Sequence, residues 1–249
     1  MSTYVYGIVR EADAPDTSAA EGVGDPPAAL RLVTGQGLAA VVSTAPENLR
    51  AKHRDLTAHQ AVLDELARRG SLLPLRFGSL AHDDDAVAAE LERSAHHYKQ
   101  LLRDLADRVE INVKAAYAED AALRTALAQD AGLRAANDAL RAKGGGTPAE
   151  RIEFGERISV ALEELRESAA DRLAASLAEH AERVTKAAPV GQDFANISLL
   201  VHRDRVGGLT RRVDALREEQ DGRLDIRVNG PLPPYSFVTG PPVPAASAG

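Results

Sequence analysis

The sequence predicts a mixed α+β / α/β fold, and three observations carry that prediction. Short apolar or alternating runs, such as Tyr4-Val5-Tyr6-Gly7-Ile8-Val9 and the stretch 109–117, have the two-residue period of strands. Longer stretches between them place leucine and alanine at helical spacing. Arg108-Val109-Glu110-Ile111-Asn112-Val113-Lys114 is echoed by Arg223-Leu224-Asp225-Ile226-Arg227-Val228-Asn229, and each run follows a strand and a helix. Together they predict two related α/β halves, ferredoxin-like in element order, joined by a long antiparallel helical hairpin. The expected divisions are an N-terminal α/β domain over 1–118, an alanine-rich helix and glycine turn over 119–147, a C-terminal domain over 148–239 and a disordered tail over 240–249.

Along the chain, residues 3–9 are apolar on both faces, as in a strand inside a sheet. Residues 11–28, with Pro15, Gly22, Gly24, Pro26 and Pro27, read as a surface loop. Two apolar runs, 30–33 and 38–43, flank Gly35-Gln36-Gly37 and predict a hairpin. A helix over about 51–69 carries Leu56, His59, Leu63 and Leu66 on one stripe and stops at Gly70. Residues 71–80 form a short strand whose Pro74 requires a sheet edge or a bulge. Asp83-Asp84-Asp85 then opens a helix to about 107, the acidic residues complementing its dipole.

The strand at 109–117 alternates strictly, with Glu110, Asn112 and Lys114 on a wet or polar-paired face. A helix over about 119–142 ends at Gly144-Gly145-Gly146, and Thr147-Pro148-Ala149-Glu150 is a capping box with proline at the first helical position. The helix it opens can run to about residue 186, on the order of 55 Å. Strand 195–202, helix 204–219 and strand 223–229 complete the chain as a βαβ unit, which normally gives parallel strands.

Composition narrows function mostly by exclusion. The chain has 249 residues and a net charge of -7, with no basic tract, which makes nucleic acid a poor partner. Without cysteine there is no disulfide, thiolate nucleophile or cysteine zinc site. No run reaches the roughly 20 apolar residues of a membrane span, and no signal peptide is visible, so a cytoplasmic protein is expected. Gly35-Gln36-Gly37-Leu38-Ala39-Ala40 matches a loose dinucleotide pattern but runs into a strand where that motif needs a helix. His53 and His59 are six apart and cannot chelate one ion from a helix, and His59 reads as a hydrogen-bonded core residue. No serine nucleophile elbow occurs. No catalytic residue, cofactor or metal is nominated.

What remains is binding. Arg76, beside Phe77, either contacts a partner or lays its stem on the core while its head reaches a carboxylate. Glu110 and Lys114 share a strand face roughly 13 Å apart, so each pairs across to another strand or contributes to a polar surface. Arg227 stands on the echoing strand. In Gly230-Pro231-Leu232-Pro233-Pro234-Tyr235-Ser236-Phe237, three prolines force the chain out of a ladder or onto an edge. Tyr235 and Phe237 then either anchor the terminus on its own domain or are offered to a partner. The candidate partner-binding residues are therefore Arg76, Phe77, Glu110, Lys114, Arg227, Pro231, Pro233, Pro234, Tyr235 and Phe237.

Tyr4-Val5-Tyr6-Gly7-Ile8-Val9, Leu72-Leu73-Pro74-Leu75-Arg76-Phe77-Gly78, Glu110-Ile111-Asn112-Val113-Lys114 and the Gly230–Phe237 run occur in that order. In these runs the chain resembles the gas vesicle protein F/L family from Tyr4 to about Val238. The resemblance implies a two-domain α/β accessory protein of gas vesicle formation without catalytic activity. Its implied partners are the small hydrophobic wall protein and other gas vesicle accessory proteins. It does not separate F from L, nor does it give the oligomeric state. The alternative reading is a regulatory module holding a small ligand between paired halves, a fold-level analogy only.

Overall fold

The structure is a computed structural model, and it describes residues 2–18, 20–47 and 49–238. The chain divides into two compact units, one running up to Glu110 and taking in the segment from Pro231, the other spanning Ile111–Gly230. The segment from Pro231 thus counts with the first unit, although its place in the chain assigned it to the C-terminal domain. The expected tail, 240–249, lies outside the described residues.

In the first unit, β1 (Thr3–Arg10) is buried along all but its last residue. The expected loop 11–28 contains a one-turn 3-10 helix and a small antiparallel hairpin, β2 (Glu21–Gly24) with β3 (Pro27–Ala29). Next come β4 (Arg31–Gly35) and β5 (Leu38–Thr44), the predicted hairpin, with Gln36 and Gly37 turning in left-handed backbone. After α1 (His53–Arg69), β6 (Leu72–Pro74) and β7 (Leu80–Ala81) both pair antiparallel with β1. The path β4-β5-β1-β6 leaves Pro74 on an end strand, where its missing N–H costs no ladder bond.

The stripe of α1 is rotated from its expected position. Leu56 is 42% exposed, while Asp55 is buried and accepts a hydrogen bond from the Gly24 amide at 3.1 Å. His59, Val62, Leu63 and Leu66 complete the buried face against Tyr4, Tyr6, Val9 and Leu72. The helix expected over 83–107 is two helices, α2 (Asp84–Arg93) and α3 (Ala95–Asp104). Ser94 lies between them, and its hydroxyl and that of Tyr98 both donate to one oxygen of buried Glu90, at 2.7 and 2.8 Å. Burial works against the Glu90 charge, but these donors and Arg93 outweigh it and hold the carboxyl below its usual range.

Among the described residues no α-helix separates β1 from β4 and β5, so the first unit lacks the β-α-β-β-α-β order expected of each half. The second unit has it. There β8 (Arg108–Tyr117) is followed by α4 (Ala121–Gln129), α5 (Ala131–Ala142) and α6 (Pro148–Ala178), then β9 (Arg183–Lys186), β10 (Asp193–His202), α7 (Val206–Glu219) and β11 (Leu224–Leu232). The sheet order is β11-β8-β10-β9. The two echoing runs are therefore adjacent strands of one sheet, β8 and β11, and not equivalent strands of two domains.

Two helix boundaries differ from expectation. Asp130 ends α4 and caps α5, accepting from the Gly132 and Leu133 amides at 2.8 and 3.0 Å, which splits the expected 119–142 helix. The 31-residue α6 begins at the predicted capping box and stops at Ala178, about 46 Å along. Val184, within the span to about residue 186 expected of this helix, instead lies in β9, paired with Leu199. An antiparallel partner strand and two β-branched residues outweigh the helical pattern there.

Candidate functional site

Five of the candidate residues, Glu110, Pro233, Pro234, Tyr235 and Phe237, lie where the C-terminal segment settles on the first unit. After β11 the chain turns through a short 3-10 helix at Tyr235–Phe237, closed by the Tyr235 amide donating to the Pro233 carbonyl at 2.8 Å and the Phe237 amide to Pro234 at 3.1 Å. Pro233 and Pro234 are buried, and Phe237 is 1% exposed. These three residues are core, not an offered surface.

Glu110 explains why the segment stays down. Strand alternation placed it on a polar face, but it is 4% exposed. Its two carboxyl oxygens accept from the Ser236 amide at 2.8 Å and the Ser236 hydroxyl at 2.7 Å. The partner is therefore the C-terminal segment and not a neighbouring strand. Nothing marked Ser236 in the sequence except its position between two aromatic residues. Tyr235 is half-buried on the first-unit core, with its hydroxyl 3.5 Å from Gln60. Burial, then the neighbouring Asp64 and Glu110, push its pKa up to about 12.

The loop between β6 and β7 forms a second face of the same core. Phe77 meets Tyr4 and His59 edge-on, ring centroids 6.0 and 5.8 Å apart. Gly78 donates its amide to the Tyr4 hydroxyl at 3.2 Å, and that hydroxyl lies 2.9 Å from His59 Nδ1. His59 Nε2 is 3.2 Å from the Leu75 carbonyl, which can only accept. Nε2 therefore carries the proton, Nδ1 accepts from Tyr4, and the imidazole is neutral. Arg76 stands exposed at the loop's outer end, its carbonyl accepting from the Ser79 amide and hydroxyl.

The remaining candidates lie elsewhere. Lys114 is half-buried on β8, and among the described residues it pairs with no carboxylate. Arg227 pairs with Asp193 and, at 3.2 Å, with Asp225. Pro231 is exposed near the end of β11. The polar face of β8 is instead satisfied by Asn112, whose amide donates to Asn196 at 2.9 Å and Ser198 at 3.2 Å.

The buried imidazole makes stability depend on pH. Burial holds the His59 pKa below the ordinary histidine value, outweighing the opposing Leu75 contact. The unfolded chain then binds the proton more readily, so stability is full above about pH 6.5 and falls as the pH drops below it, by at most about 1.4 kcal/mol per pH unit. Thermal melts between pH 7.5 and 5.5 should show this slope, and His59→Gln should flatten it while lowering stability at the upper end.

Fold and site define a two-unit α/β protein whose terminal segment is clasped into its first core through a buried carboxyl group. The family described as gas vesicle synthesis protein GvpL/GvpF matches residues 2–239. Gas vesicle protein F of Streptomyces sp. (strain CB03234) is 45% identical over 238 residues, covering 96% of this chain and all of that protein. Gas vesicle protein L of the same strain is 31% identical, covering 94% and 91%. The crystal structure of GvpF from Anabaena sp. PCC7120 superposes with a TM-score of 0.80 at 25% identity, covering 96% of this chain and 99% of that one. The chain belongs to the GvpL/GvpF family.

Proposed function

We propose that this chain is a non-enzymatic assembly factor of the gas vesicle, of the F type, which binds the hydrophobic wall protein together with other accessory proteins. The observation that carries the reading is the match of nearly the whole chain to the gas vesicle synthesis family. The identity of 45% to an F protein against 31% to the L protein of the same strain favours F. Relatives named as gas vesicle proteins support a cytoplasmic, vesicle-associated location. No helix among the described residues is long and apolar enough to cross a membrane.

A wall subunit with a water-facing and a gas-facing side must be kept soluble before assembly. An apolar groove between helices can do this, and so can an open sheet edge that accepts a strand. β9 and β11 end the second sheet, and the order β11-β8-β10-β9 supports a ferredoxin-like reading of that unit. The antiparallel helical hairpin belongs to the same reading, with α6 as one arm and α4 and α5 as the other. Arg76, Phe77, Lys114, Arg227, Pro231 and Tyr235 remain contact candidates, because each keeps some exposure. Glu110, Pro233, Pro234 and Phe237 act beneath them by holding the segment in place. The excess of acidic residues helps keep carrier and cargo soluble.

Co-expression with a gas vesicle wall protein, followed by affinity capture and size-exclusion chromatography, tests the reading. The wall protein should stay soluble and co-elute only when this chain is present. Aggregation of the wall protein regardless, both with this chain alone and with the other accessory proteins added, would overturn it.

A further inference from the structure

One buried carboxylate of the first unit is only half satisfied. Asp55, in the first turn of α1, is 5% exposed. Its Oδ1 is engaged twice: the Gly24 amide donates to it at 3.1 Å, and Arg54 Nε lies 3.5 Å away. Only glycine serves at position 24, because its φ is 124° and a β-carbon would lie 2.9 Å from the Pro26 carbonyl oxygen. Among the described residues nothing donates to Oδ2. Every buried side-chain nitrogen or oxygen sealed from solvent there has a hydrogen-bond partner, so Oδ2 is not sealed. Asp55 lines a cleft of about 470 Å³ between the start of α1, the β2–β3 hairpin and the end of β5, and Oδ2 is open to it.

The chemistry of an occupant follows from what this lining leaves over. Arg54 pairs with Asp25 at 2.6 Å, so its guanidinium is shared between two carboxylates. Glu47 and Lys52 are exposed in the wall and form no ion pair among the described residues. Asp25, Glu47 and Asp55 thus stand against Lys52 and Arg54, which leaves one carboxylate in excess. An anion entering the cleft would meet Oδ2 and be repelled, whereas a cation gives that oxygen the donor it lacks. A single open oxygen suits an ammonium, which acts as a point charge. A guanidinium makes its strongest contact with both oxygens of a carboxylate, and Oδ1 is already taken. Val23, Pro26, Pro46 and Leu49 provide apolar wall for methylene groups behind the charge.

We propose that this cleft binds a primary ammonium group on an aliphatic stem, either a lysine side chain of a partner or a free alkylamine, with Asp55 Oδ2 as the acceptor. The Gly24 amide orients the carboxylate before the ligand arrives, so little ordering is left to do on binding. The site goes beyond the assembly-factor reading and does not depend on it.

The test titrates butylamine hydrochloride into the full-length chain and follows the backbone amides by NMR. The Gly24 and Asp55 amides should shift and saturate, while butanol, with the same stem and no charge, should leave them in place. Asp55→Asn keeps an oxygen for the Gly24 amide but removes the charge, and should weaken butylamine binding about tenfold or more. Ala28→Leu narrows the cleft without touching the carboxylate and should also weaken binding, which keeps the test decisive if Asp55→Asn does not fold. A lysine-containing peptide blocked at both ends separates the two sources. Displacement of butylamine by the peptide assigns the site to a protein lysine, and exclusion of the peptide assigns it to a free amine. No saturable shift with butylamine, equal shifts with butanol, or unchanged affinity in both variants would overturn the proposal and leave Oδ2 a solvated oxygen only. No vesicle protein enters this experiment, so its failure leaves the assembly reading standing.

Discussion

Replacing Phe237 by alanine should destabilise the first unit by about 3–5 kcal/mol, the usual cost of emptying an aromatic site in a core. Phe237 is 1% exposed, although it lies close to the end of the described chain. Losing the ring also loosens Ser236, so Glu110 is left with its two donors weakened at a 4%-exposed position. A buried polar group without its partner costs a further 1–3 kcal/mol or so. Thermal melts and hydrogen exchange should therefore show faster opening of β1, β5 and α1, while α6 and β10 change little. Glu110→Gln should be milder, because its amide oxygen still accepts from Ser236. A Phe237→Ala variant as stable as the parent chain would show that the terminal segment is not part of the core.

Gly22→Ala should be the most damaging single-methyl change. A β-carbon at Gly22 would lie 1.9 Å from the Tyr6 hydroxyl oxygen and 2.9 Å from Leu30 Cδ2. Tyr6 has no exposed surface, and its hydroxyl accepts the Val23 amide at 2.8 Å and lies 3.0 Å from Ser43 Oγ. The ring cannot retreat without giving up both contacts. Overpacking costs about 1–3 kcal/mol, and stranding the buried Val23 amide adds roughly as much again. Tyr6→Phe provides the check, since it removes the atom in conflict. The double variant Gly22→Ala/Tyr6→Phe should be less destabilised than the sum of its single changes. Strict additivity would place the damage in the β2 backbone and not at the hydroxyl.

The packing at Gly22 lies beyond what local sequence can carry. In the stretch 11–28 its glycines and prolines signal a loop, and much of the stretch is one. That Gly22 passes against a tyrosine hydroxyl from a strand sixteen residues earlier has no local signature. Glu110 is the same kind of case. Period-two alternation located β8 and the face of Glu110, but whether that face meets water, a strand or the chain terminus depends on contacts 126 residues away in sequence. At Asp130 the helical spacing continued across a break made by one polar side chain. Periodicity averages over a turn or more and does not resolve one competing hydrogen bond.

Local patterns were enough for the mixed class, most of the strands and helices, the capping box at Thr147, the restriction of Pro74 to an edge or a bulge, and the core role of His59. These depend on side-chain period, backbone chemistry and neighbours within a few residues. Family membership was legible too, through four ordered runs spread along the chain. Only the folded arrangement settles which unit claims the terminal segment, that β8 and β11 are neighbours in one sheet, and which candidate residues are core and which remain exposed. Those outcomes rest on pairings between residues far apart in the chain. Such pairings are selected by the packing and hydrogen-bond satisfaction of the whole fold, and a local pattern fits either outcome equally well.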